Sequence, residues 1–512
     1  MKASSEIVHD LEERKKIQNI IKLFLLISIG AALFYFSYLF NPSNIDNAYL
    51  YIFLVFAELY IFIQCVGTWY TLLLSPTDDP SKHSGYRKLV NQLKETAEID
   101  GGVAVFVNVC GEPIEIVEAT LAAAVAIKVK HKTYLVDDLG KLAGKANKPY
   151  QEMAKRVGAS YIKTIENYEF KVGALNYALK QVNTKYFVNF DSDFIPQKDF
   201  LLETLPYFHD LKLGWVQTPQ VFRDSNNLIS RGAADAVTAF YSNVMPGKNA
   251  FNAALFVGTN ALFRREALDS IGGFKSHHSE DVYTGYNLHQ AGWKSLAIPE
   301  KLAFGLAPEN VASLFKQVLR WSGGSLEIFL HERVFKRNLT VDQKFQYFVT
   351  FSFYLYGLVI LIMLLFPMLY LLFGIKPLGS SYSNEWAVHY LPYFIFQFTT
   401  IALFASKLSL PAILTSMNLY PVTIKGFFNA VRRKHSKWVV TNLGKDQKTN
   451  FFQGAEILYW HYLIAFMSII SILIGLVNVR ESLTTAISIF WVGLNLIFTI
   501  IFIFHSHKSL QQ

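Results

Sequence analysis

Long apolar stretches enclose one region of ordinary polar character. Residues 23–45 contain no Lys, Arg, Asp or Glu, and residues 47–75 contain only one of them, Glu58. Four further apolar stretches lie near 345–375, 387–406, 457–479 and 482–505. Each is long enough to cross the hydrocarbon layer of roughly 30 Å, which takes about 20 helical residues. The pattern predicts two membrane helices, a polar domain and four more membrane helices.

The polar region alternates short apolar runs with helical segments. The runs typical of buried strands are Val103–Val109, Lys132–Val136, Ser160–Ile165 and Tyr186–Phe190. Helical segments at Ile114–Ile127 and Val172–Val182 lie between them. This alternation predicts a doubly wound α/β sheet with its site at the carboxyl ends of the strands. No G-x-G-x-x-G and no G-x-x-x-x-G-K-[ST] motif is present, so a dinucleotide fingerprint and a P-loop are not expected.

Composition and charge narrow the class of protein. The chain is 52% hydrophobic, which agrees with several membrane spans. Its formal charge of +9 is modest for 512 residues and suits an anionic membrane face and phosphate-bearing substrates. No Arg/Lys-rich arm indicates a nucleic-acid partner. Two cysteines, Cys65 and Cys110, are too few for a disulfide framework or a zinc cluster.

Basic residues cluster at two places that predict orientation. Arg14, Lys15 and Lys16 precede the first span, and Lys425, Arg432, Arg433, Lys434, Lys437, Lys445 and Lys448 lie between the fourth and fifth. Because positively charged loops stay on the cytosolic side, we expect both termini and the α/β domain in the cytosol of a multi-pass plasma-membrane protein. The first apolar run is too long for a cleavable signal and is interpreted as a retained anchor. The predicted domains are 1–76, 77–335 and 336–512.

The strand at Tyr186–Phe190 leads into two carboxylates, Asp191 and Asp193. Alternation predicts that they lie on the same side, with Ser192 pointing away. Such a pair can hold a hard divalent cation, and that cation can neutralise a diphosphate. Taken alone, the stretch fits a solvated turn equally well.

Further acidic residues follow other strands or lie in nearby loops. Four groups fall in this one domain: Glu112, Asp137 with Asp138, Asp191 with Asp193, and Glu280 with Asp281. A basic counterpart, Gln317-Val-Leu-Arg320-Trp321, places an amide and a guanidinium three residues apart on one helical face. Trp321 offers an aromatic face to a sugar ring, although a tryptophan before a membrane span is also typical of the interface. Together they predict a metal–diphosphate site with a separate base.

These motifs resemble, in order and spacing, the D, DxD, (T/S)ED and QxxRW signature of processive family-2 glycosyltransferases, above all the cellulose synthases. Three more segments are similar to theirs: Lys171–Asn176 (KVGALN), Gly258–Arg265 (GTNALFRR) and Ser279–Trp293 (SEDVYTGYNLHQAGW). The resemblance is dense over about 100–330 and agrees with the two-plus-four arrangement of spans. It implies a GT-A (Rossmann-like) α/β domain in the cytosol, inserted between the transmembrane helices.

The resemblance also implies a role for each matching residue. By this resemblance, Glu112 and Asp137 contact the uridine, and Asp138 and Glu280 are further substrate contacts. By the same resemblance, Lys171 and Asp191 contact the nucleotide, and Asp193 together with Asp191 coordinates Mg²⁺ or Mn²⁺. Asp281 is the general base, Gln317 and Arg320 hold the diphosphate, and Trp321 stacks under the terminal acceptor sugar.

Three departures from the family pattern stand out. Asn108–Pro113 reads N-V-C-G-E-P, so only Glu112 and Pro113 carry over. The predicted segment 412–453 contains an amphipathic helix at Ile424–Val431, followed by a loop that resembles the family's gating loop. This loop keeps Thr441, which the resemblance implies is a substrate contact, but it has Leu443 where the family has lysine. The chain ends after the sixth span, so a cyclic-di-GMP module is not expected.

The sequence therefore predicts a processive, UDP-sugar-dependent polysaccharide synthase. UDP-glucose polymerised to a β-glucan, cellulose-like or capsular, and exported across the bilayer is the first choice. A hyaluronan- or chitin-type synthase using UDP-N-acetylhexosamine, and a non-processive transferase acting on a lipid phosphate carrier, stay open. A transporter would not need the ordered acidic motifs. Sugar, linkage and any homo-oligomer are left undetermined.

Overall fold

The chain divides into two compact units in a computed structural model. The model describes residues 2–73, 83–138, 147–164, 170–332, 335, 338–379, 385–404, 409–434, 451–478 and 482–511. One unit, the α/β unit, comprises Ser75–Tyr354, Val422–Asn450 and Lys508–Gln512. The other, the helical unit, comprises Met1–Leu74, Leu355–Pro421 and Phe451–His507.

Among the described residues of the α/β unit, ten strands form two sheets. They are β1 Val103–Val109, β2 Lys132–Asp137, β3 Ser160–Lys163, β4 Tyr186–Asp191, β5 Ile195–Pro196, β6 Leu213–Gln217, β7 Val221–Arg223, β8 Ala261–Arg264, β9 Lys294–Ala297 and β10 Ala303–Leu306. The main sheet has seven strands in the order β3-β2-β1-β4-β8-β6-β9, and a small sheet has the order β5-β10-β7. The four strands predicted from the sequence lie side by side in the main sheet.

The helices follow in chain order. They are α1 Lys2–Leu39, α2 Ala48–Leu73, α3 Ser84–Thr96, α4 Ile114–Val125, α5 Lys148–Val157, α6 Phe170–Gln181, α7 Phe200–Thr204, α8 Leu228–Ala239, α9 Met245–Lys248, α10 Arg265–Ser270, α11 Glu280–Gln290, α12 Val311–His331, α13 Val341–Ser352, α14 Tyr356–Phe373, α15 Glu385–Phe404, α16 Leu410–Met417, α17 Tyr420–Val431, α18 Phe451–Ile457, α19 Tyr459–Val477 and α20 Ser482–Gln511.

The main sheet is mixed rather than wholly parallel. β1 pairs in parallel with both β2 and β4, as the predicted doubly wound sheet requires. β8, however, runs antiparallel to β4 and β6. The chain enters β8 at Asn260, whose N–H donates to the carbonyl of Asn189 in β4 at 2.8 Å. Because β8 starts near the carboxyl end of β4, without a crossover back to its amino end, it must run in the opposite direction.

Alternate residues of β1 pack into two cores, one on each face of the main sheet. Val105 and Val107 join a core with Val188, whereas Phe106 joins a second core with Phe187. All seven residues of β1 are buried. A strand covered on both faces reads as a continuous apolar run, which is why Val103–Val109 was recognisable from sequence.

Five segments are long and apolar enough to span a membrane, within the part of the chain that the structure describes. They are Lys22–Leu39, Ala48–Thr71, Val341–Phe373, Tyr459–Val477 and Leu483–Gln511. The predicted span at 387–406 is a helix, α15, but it does not meet the same criterion; it contains Pro392 and a buried Gln397. The α/β domain flanked along the chain by membrane helices is confirmed, whereas the count of six spans and their sidedness stay predictions.

The carboxylate predicted inside the second span has a partner in the helical unit. Glu58 is only 2% exposed and accepts a hydrogen bond from the hydroxyl of Tyr35 at 3.2 Å. Tyr35 in turn stacks on Tyr393 of α15, with ring centroids 5.0 Å apart. The acidic group is therefore enclosed by helices α1, α2 and α15.

Candidate active site

A cleft in the α/β unit brings most of the predicted site residues together. It measures about 1200 Å³, part of which is open solvent. Its polar lining comprises Asn108, Cys110, Glu112, Asp138, Lys171, Asp191, Ser192, Asp193, Gln220, Glu280, Asp281, Gln317 and Arg320, together with Trp321. These residues come from the carboxyl ends of β1, β2 and β4 and from α6, α11 and α12, as expected for an α/β sheet. Of the predicted site residues that the structure describes, Asp137 is not in this lining.

The turn after β4 arranges Asp191, Ser192 and Asp193 differently from the prediction. β4 ends at Asp191, and a hydrogen bond of 3.1 Å from the Phe194 N–H to the Asp191 carbonyl closes a turn. Ser192 therefore does not point away. It is 3% exposed, lines the cleft, and its hydroxyl donates to the Glu112 carboxylate. The prediction was wrong because strand alternation stops where the strand does.

Negative charge accumulates around this turn. Burial raises the pKa of Asp193 to about 7, and the nearby carboxylates of Asp191 and Glu112 add to the shift. Burial also raises the pKa of Glu112. One cation offsets them: Lys171 forms an ion pair with Asp191 and donates to the Gly258 carbonyl at 2.7 Å. Burial by itself lowers the pKa of Lys171, but the charges of Asp191 and Glu280 outweigh it, so that pKa is raised.

Asp281 lies in the first turn of α11, where it faces the cleft. Its Oδ1 accepts a hydrogen bond from the Val282 N–H at 2.8 Å. Its Oδ2 lies against Gly258, where a Cβ would come within 3.1 Å of it; Gly258 also has a φ of +88°, which favours glycine. Burial, followed by the charge of Glu280, raises the pKa of Asp281 to about 7. A carboxylate with a pKa near the working pH is suited to accept and release a proton.

Helix α12 presents Gln317, Arg320 and Trp321 to the cleft. The side-chain carbonyl of Gln317 is buried and has no hydrogen-bond partner among the residues that the structure describes. Two close approaches fix the helix on either side. Gly324 packs against Ser279, and Gly426 of α17 packs against Ser322. The short side chains after Trp321 thus allow α12 to lie directly against its neighbours.

Asp137 and Asp138 separate in the structure. Asp138 lines the cleft, whereas Asp137 is 3% exposed and accepts a hydrogen bond from the Tyr161 hydroxyl at 2.6 Å. Burial raises the pKa of Asp137. Asp137 is the last residue of β2, so its side chain stays within the sheet while the next residue leaves it. A uridine contact by Asp137 stays a prediction, and Asp138 is the residue that the cleft exposes.

The segment Gly258–Arg265 contributes only its first residue to the cleft. Arg264 is 3% exposed and its guanidinium donates to the carbonyls of Leu213 and Phe208 at 3.0 and 3.2 Å. Arg265 pairs with Asp269 at 3.3 Å. Both arginines therefore bond to the main sheet and its connections, and neither of them lines the cleft.

Sequence reasoning missed some of the cleft. Gln220 lines it and donates to the Val257 carbonyl at 3.1 Å, and Phe222 of β7 lines it too. Neither belongs to a motif; only the pairing of β7 with β10 brings them there. The predicted gating loop with Thr441 lies outside the described residues. Within the described part of the chain, no three His, Cys, Asp or Glu residues form a group that could hold a metal.

The part of the chain that holds this site is similar to known glycosyltransferases. The family model "Glycosyl transferase family group 2" matches residues 186–414. The cellulose synthase catalytic subunit (UDP-forming) of Pseudomonas fluorescens SBW25 is 33% identical over 292 residues, 54% of this chain and 38% of that protein. Cellulose synthase 1 of Komagataeibacter xylinus is 30% identical over 291 residues, 54% of this chain and 18% of that protein. The predicted resemblance is confirmed: about half of the chain is similar to cellulose synthase catalytic subunits, and residues 186–414 match the family-2 glycosyltransferase model.

The chain spans well under half the length of these curated relatives. Among solved structures, the mannosyltransferase PcManGT from Pyrobaculum calidifontis, in complex with GDP-Man and Mn²⁺, is 15% identical with a TM-score of 0.48, covering 82% of this chain and 100% of its own. Residues 1–349 of TarS from S. aureus are 12% identical with a TM-score of 0.35, covering 67% and 95%.

Proposed function

We propose that the protein is a membrane-embedded, inverting, processive glycosyltransferase that polymerises UDP-glucose into a β-glucan and moves the chain across the membrane. The observation that carries this proposal is the composition of the cleft. A pair of carboxylates at the end of β4, a separate carboxylate at Asp281, and the amide, guanidinium and indole of α12 face the same space. A single displacement at a sugar carbon needs these three kinds of group.

Asp281 supplies the base. The acceptor hydroxyl oxygen attacks the anomeric carbon and forms the new glycosidic bond, while the bond from that carbon to the phosphate oxygen breaks. UDP leaves with the electron pair, and the hydroxyl proton passes to Asp281. Its Oδ1 is engaged by the Val282 N–H, which leaves Oδ2 to accept that proton. One displacement inverts the anomeric centre, so no second carboxylate is needed as a nucleophile.

The leaving diphosphate is held from the opposite side. Arg320 and Gln317 offer donors to phosphate oxygens, and Lys171 adds a positive charge close to Asp191. The carboxylates of Asp191 and Asp193 are hard oxygen donors, and Mg²⁺ is commonly held by one or two carboxylates together with substrate phosphates. Asp193 and Asp191 would hold Mg²⁺ or Mn²⁺, which when bound neutralises charge on the departing diphosphate.

Trp321 seats the acceptor. It follows Arg320 directly on α12 and lines the same cleft, so a sugar stacked on its indole lies beside the leaving-group contacts. A seat for the end of a polymer is useful only if the product stays bound, which favours processive synthesis over transfer to a lipid carrier. The choice of glucose and the export step rest on the similarity to cellulose synthases and on the membrane helices.

The test is synthesis from single donors. The purified protein is incubated with one radiolabelled UDP-sugar at a time and Mg²⁺ or Mn²⁺, and the polymer is digested with linkage-specific glycosidases. We expect incorporation from UDP-glucose and release by a β-glucanase. EDTA should stop synthesis reversibly, and Asp193→Asn should abolish it. Incorporation only from UDP-N-acetylhexosamine would assign a hyaluronan- or chitin-type synthase instead, and a single sugar on an extractable lipid would refute processivity.

A further inference from the structure

We infer that Glu327 is a positioning residue for the Asp281 base and that it acts through His277 and His278. The inference rests on the proposed function, because it concerns the alignment of the base in that reaction. Glu327 does not line the cleft. It lies on α12, two turns beyond Arg320, where no family motif draws attention to it.

The geometry places Glu327 between two imidazoles. Its Oε2 is 3.8 Å from Nε2 of His277 and 3.7 Å from Nδ1 of His278. The Glu327 side chain is 17% exposed, and the two histidines are 12% and 22% exposed. A carboxylate that has given up most of its water is restrained by such neighbours far more than a surface carboxylate would be.

His277 continues the contact toward the base. Its Nδ1 accepts a hydrogen bond from the Ser279 N–H at 3.1 Å, and its ring lies 4.8 Å from that of Tyr283. Because Nδ1 acts as an acceptor, the neutral ring carries its proton on Nε2, the atom that faces Glu327. Ser279 and Tyr283 lie on either side of Asp281 along the chain, so the orientation of the His277 ring bears on the first turn of α11.

Two contacts therefore tie the segment before the base to the helix that seats the substrates. Arg320, Gly324 and Glu327 are spaced four and three residues apart and lie along one stripe of α12. Gly324 meets Ser279 by close packing, and the Glu327 carboxylate lies within 3.8 Å of one ring nitrogen of His277 and one of His278. The base on one element must point at an acceptor held on the other, and a shift of about 1 Å can cost up to about 10²-fold in rate.

The first experiment compares Glu327→Gln with Glu118→Gln. Glu118 also pairs with a basic side chain, Arg156 at 2.7 Å, but it is outside the cleft. UDP release gives kcat and the KM for UDP-sugar, and calorimetry gives UDP affinity. For Glu327→Gln we expect kcat to fall about tenfold, with KM and UDP affinity within about twofold. Glu118→Gln should match the wild type.

Each outcome separates the inference from the proposed function. A wild type without turnover refutes the proposed function itself. A wild type that turns over while Glu327→Gln keeps the same kcat refutes only the positioning role. A parallel loss of UDP affinity and melting temperature would assign Glu327 a merely structural role. If Glu327→Gln does not fold, the double variant His277→Gln/His278→Gln replaces it and should show the same selective fall in kcat.

A second arm tests the route through the histidines. The triple variant Glu327→Gln/His277→Gln/His278→Gln removes both sides of the contact. If Glu327 acts through His277 and His278, it should be no slower than Glu327→Gln alone, because the contact is already lost in the single variant. Independent action would multiply the two effects, to about 10²-fold in total, and would overturn the inference. Glu327→Asp, which keeps the charge but shortens the side chain, should recover part of kcat at unchanged KM.

Discussion

Two polar clusters lie within the α/β unit, the cleft and a buried network beside α13. In the network, the ammonium group of Lys248 donates to the side chains of Gln346 and Thr350, each at 2.9 Å. Burial lowers the pKa of Lys248 to about 7. The cleft has the opposite character, since its carboxylates face one another and their pKa values are raised.

The imidazole of His289 completes the network. Its Nδ1 is 2.6 Å from the Tyr347 hydroxyl and its Nε2 is 2.8 Å from the Ser295 hydroxyl. Burial lowers the pKa of His289 to about 3, so the ring is neutral at physiological pH. Both ring nitrogens have partners, which leaves the group nothing to offer a ligand.

The difference teaches where to look for function in this domain. Both clusters contain buried ionisable groups with shifted pKa values, and the shift alone does not distinguish them. In the network each named group bonds to a protein neighbour, and burial favours its neutral form. In the cleft, like charges gather around a space of about 1200 Å³ and the Gln317 carbonyl lacks a partner among the described residues. Only the second arrangement gains from binding a ligand.

Outside the proposed metal pair, the largest effect should come from Asp281→Asn. The substitution keeps the shape of the side chain but removes the proton acceptor, so transfer should fall by about 10²–10⁴-fold, as is typical for loss of a general base. UDP binding, measured by calorimetry, should persist because the diphosphate contacts are untouched. Lost UDP binding together with full-length polymer at saturating UDP-sugar would make Asp281 a substrate contact, and the base would lie elsewhere.

Trp321→Ala should have a smaller and different effect. It removes the surface on which the acceptor sugar stacks, so elongation should slow by about 10–10² and products should be short. UDP-sugar should still bind, because Arg320 and Gln317 remain. Product length is measured by gel electrophoresis of labelled polymer. Wild-type length at a reduced rate would argue that Trp321 only supports the helix.

Lys248→Met tests the network. Removing the donor takes one buried hydrogen bond from the side chain of Gln346 and one from that of Thr350, and the free energy of unfolding should fall by about 1–3 kcal/mol. Above pH 7 the folded state releases the Lys248 proton while the unfolded chain holds it to about pH 10.5, so this lysine makes stability rise with pH across that interval. The variant should lose that slope in melting experiments and keep wild-type kcat at temperatures below its transition. Impaired turnover in fully folded protein would show that the Lys248 network affects catalysis in the cleft.

The smallest effect should be on the stability of Asp193→Asn. Between about pH 4 and 7 the folded protein keeps the Asp193 proton that the unfolded chain has released, so the free energy of unfolding falls as pH rises. At pH 7.5 without divalent cations, the neutral amide should stabilise the protein by about 1 kcal/mol. Melting curves at pH 5 and pH 7.5 check this. A variant less stable at both values would show that the carboxylate is needed for folding.

Sequence predicted the cleft well because its chemistry is carried by local motifs at strand ends. Glu112, Asp138, Asp193 and Asp281 follow this rule, and α12 adds its own motif in a single run of five residues, Gln317–Trp321. Such positions depend on where a strand or helix ends, which the apolar pattern gives.

Features that depend on tertiary pairing were not accessible in this way. β8 is a four-residue strand within the segment Gly258–Arg265. Its direction depends on its pairing with β4 and β6, which the sequence does not show. The role of Arg264 could not be predicted, because the sequence does not show that the carbonyls of Leu213 and Phe208 accept its hydrogen bonds. Glu327 belongs to no motif, and the histidines that it contacts, His277 and His278, lie some fifty residues earlier along the chain.

The order of strands in the main sheet has a consequence for the time course of synthesis on the ribosome. Its first four strands, β1 to β4, follow one another along the chain and are adjacent in the sheet. This part of the sheet can therefore pair before the later strands have been synthesised. The cleft is completed by α12, and about 200 residues separate its first lining residue, Asn108, from Trp321. At about 5–20 residues per second, that is roughly 10–40 s during which the acidic strand ends stand without the arginine that faces them.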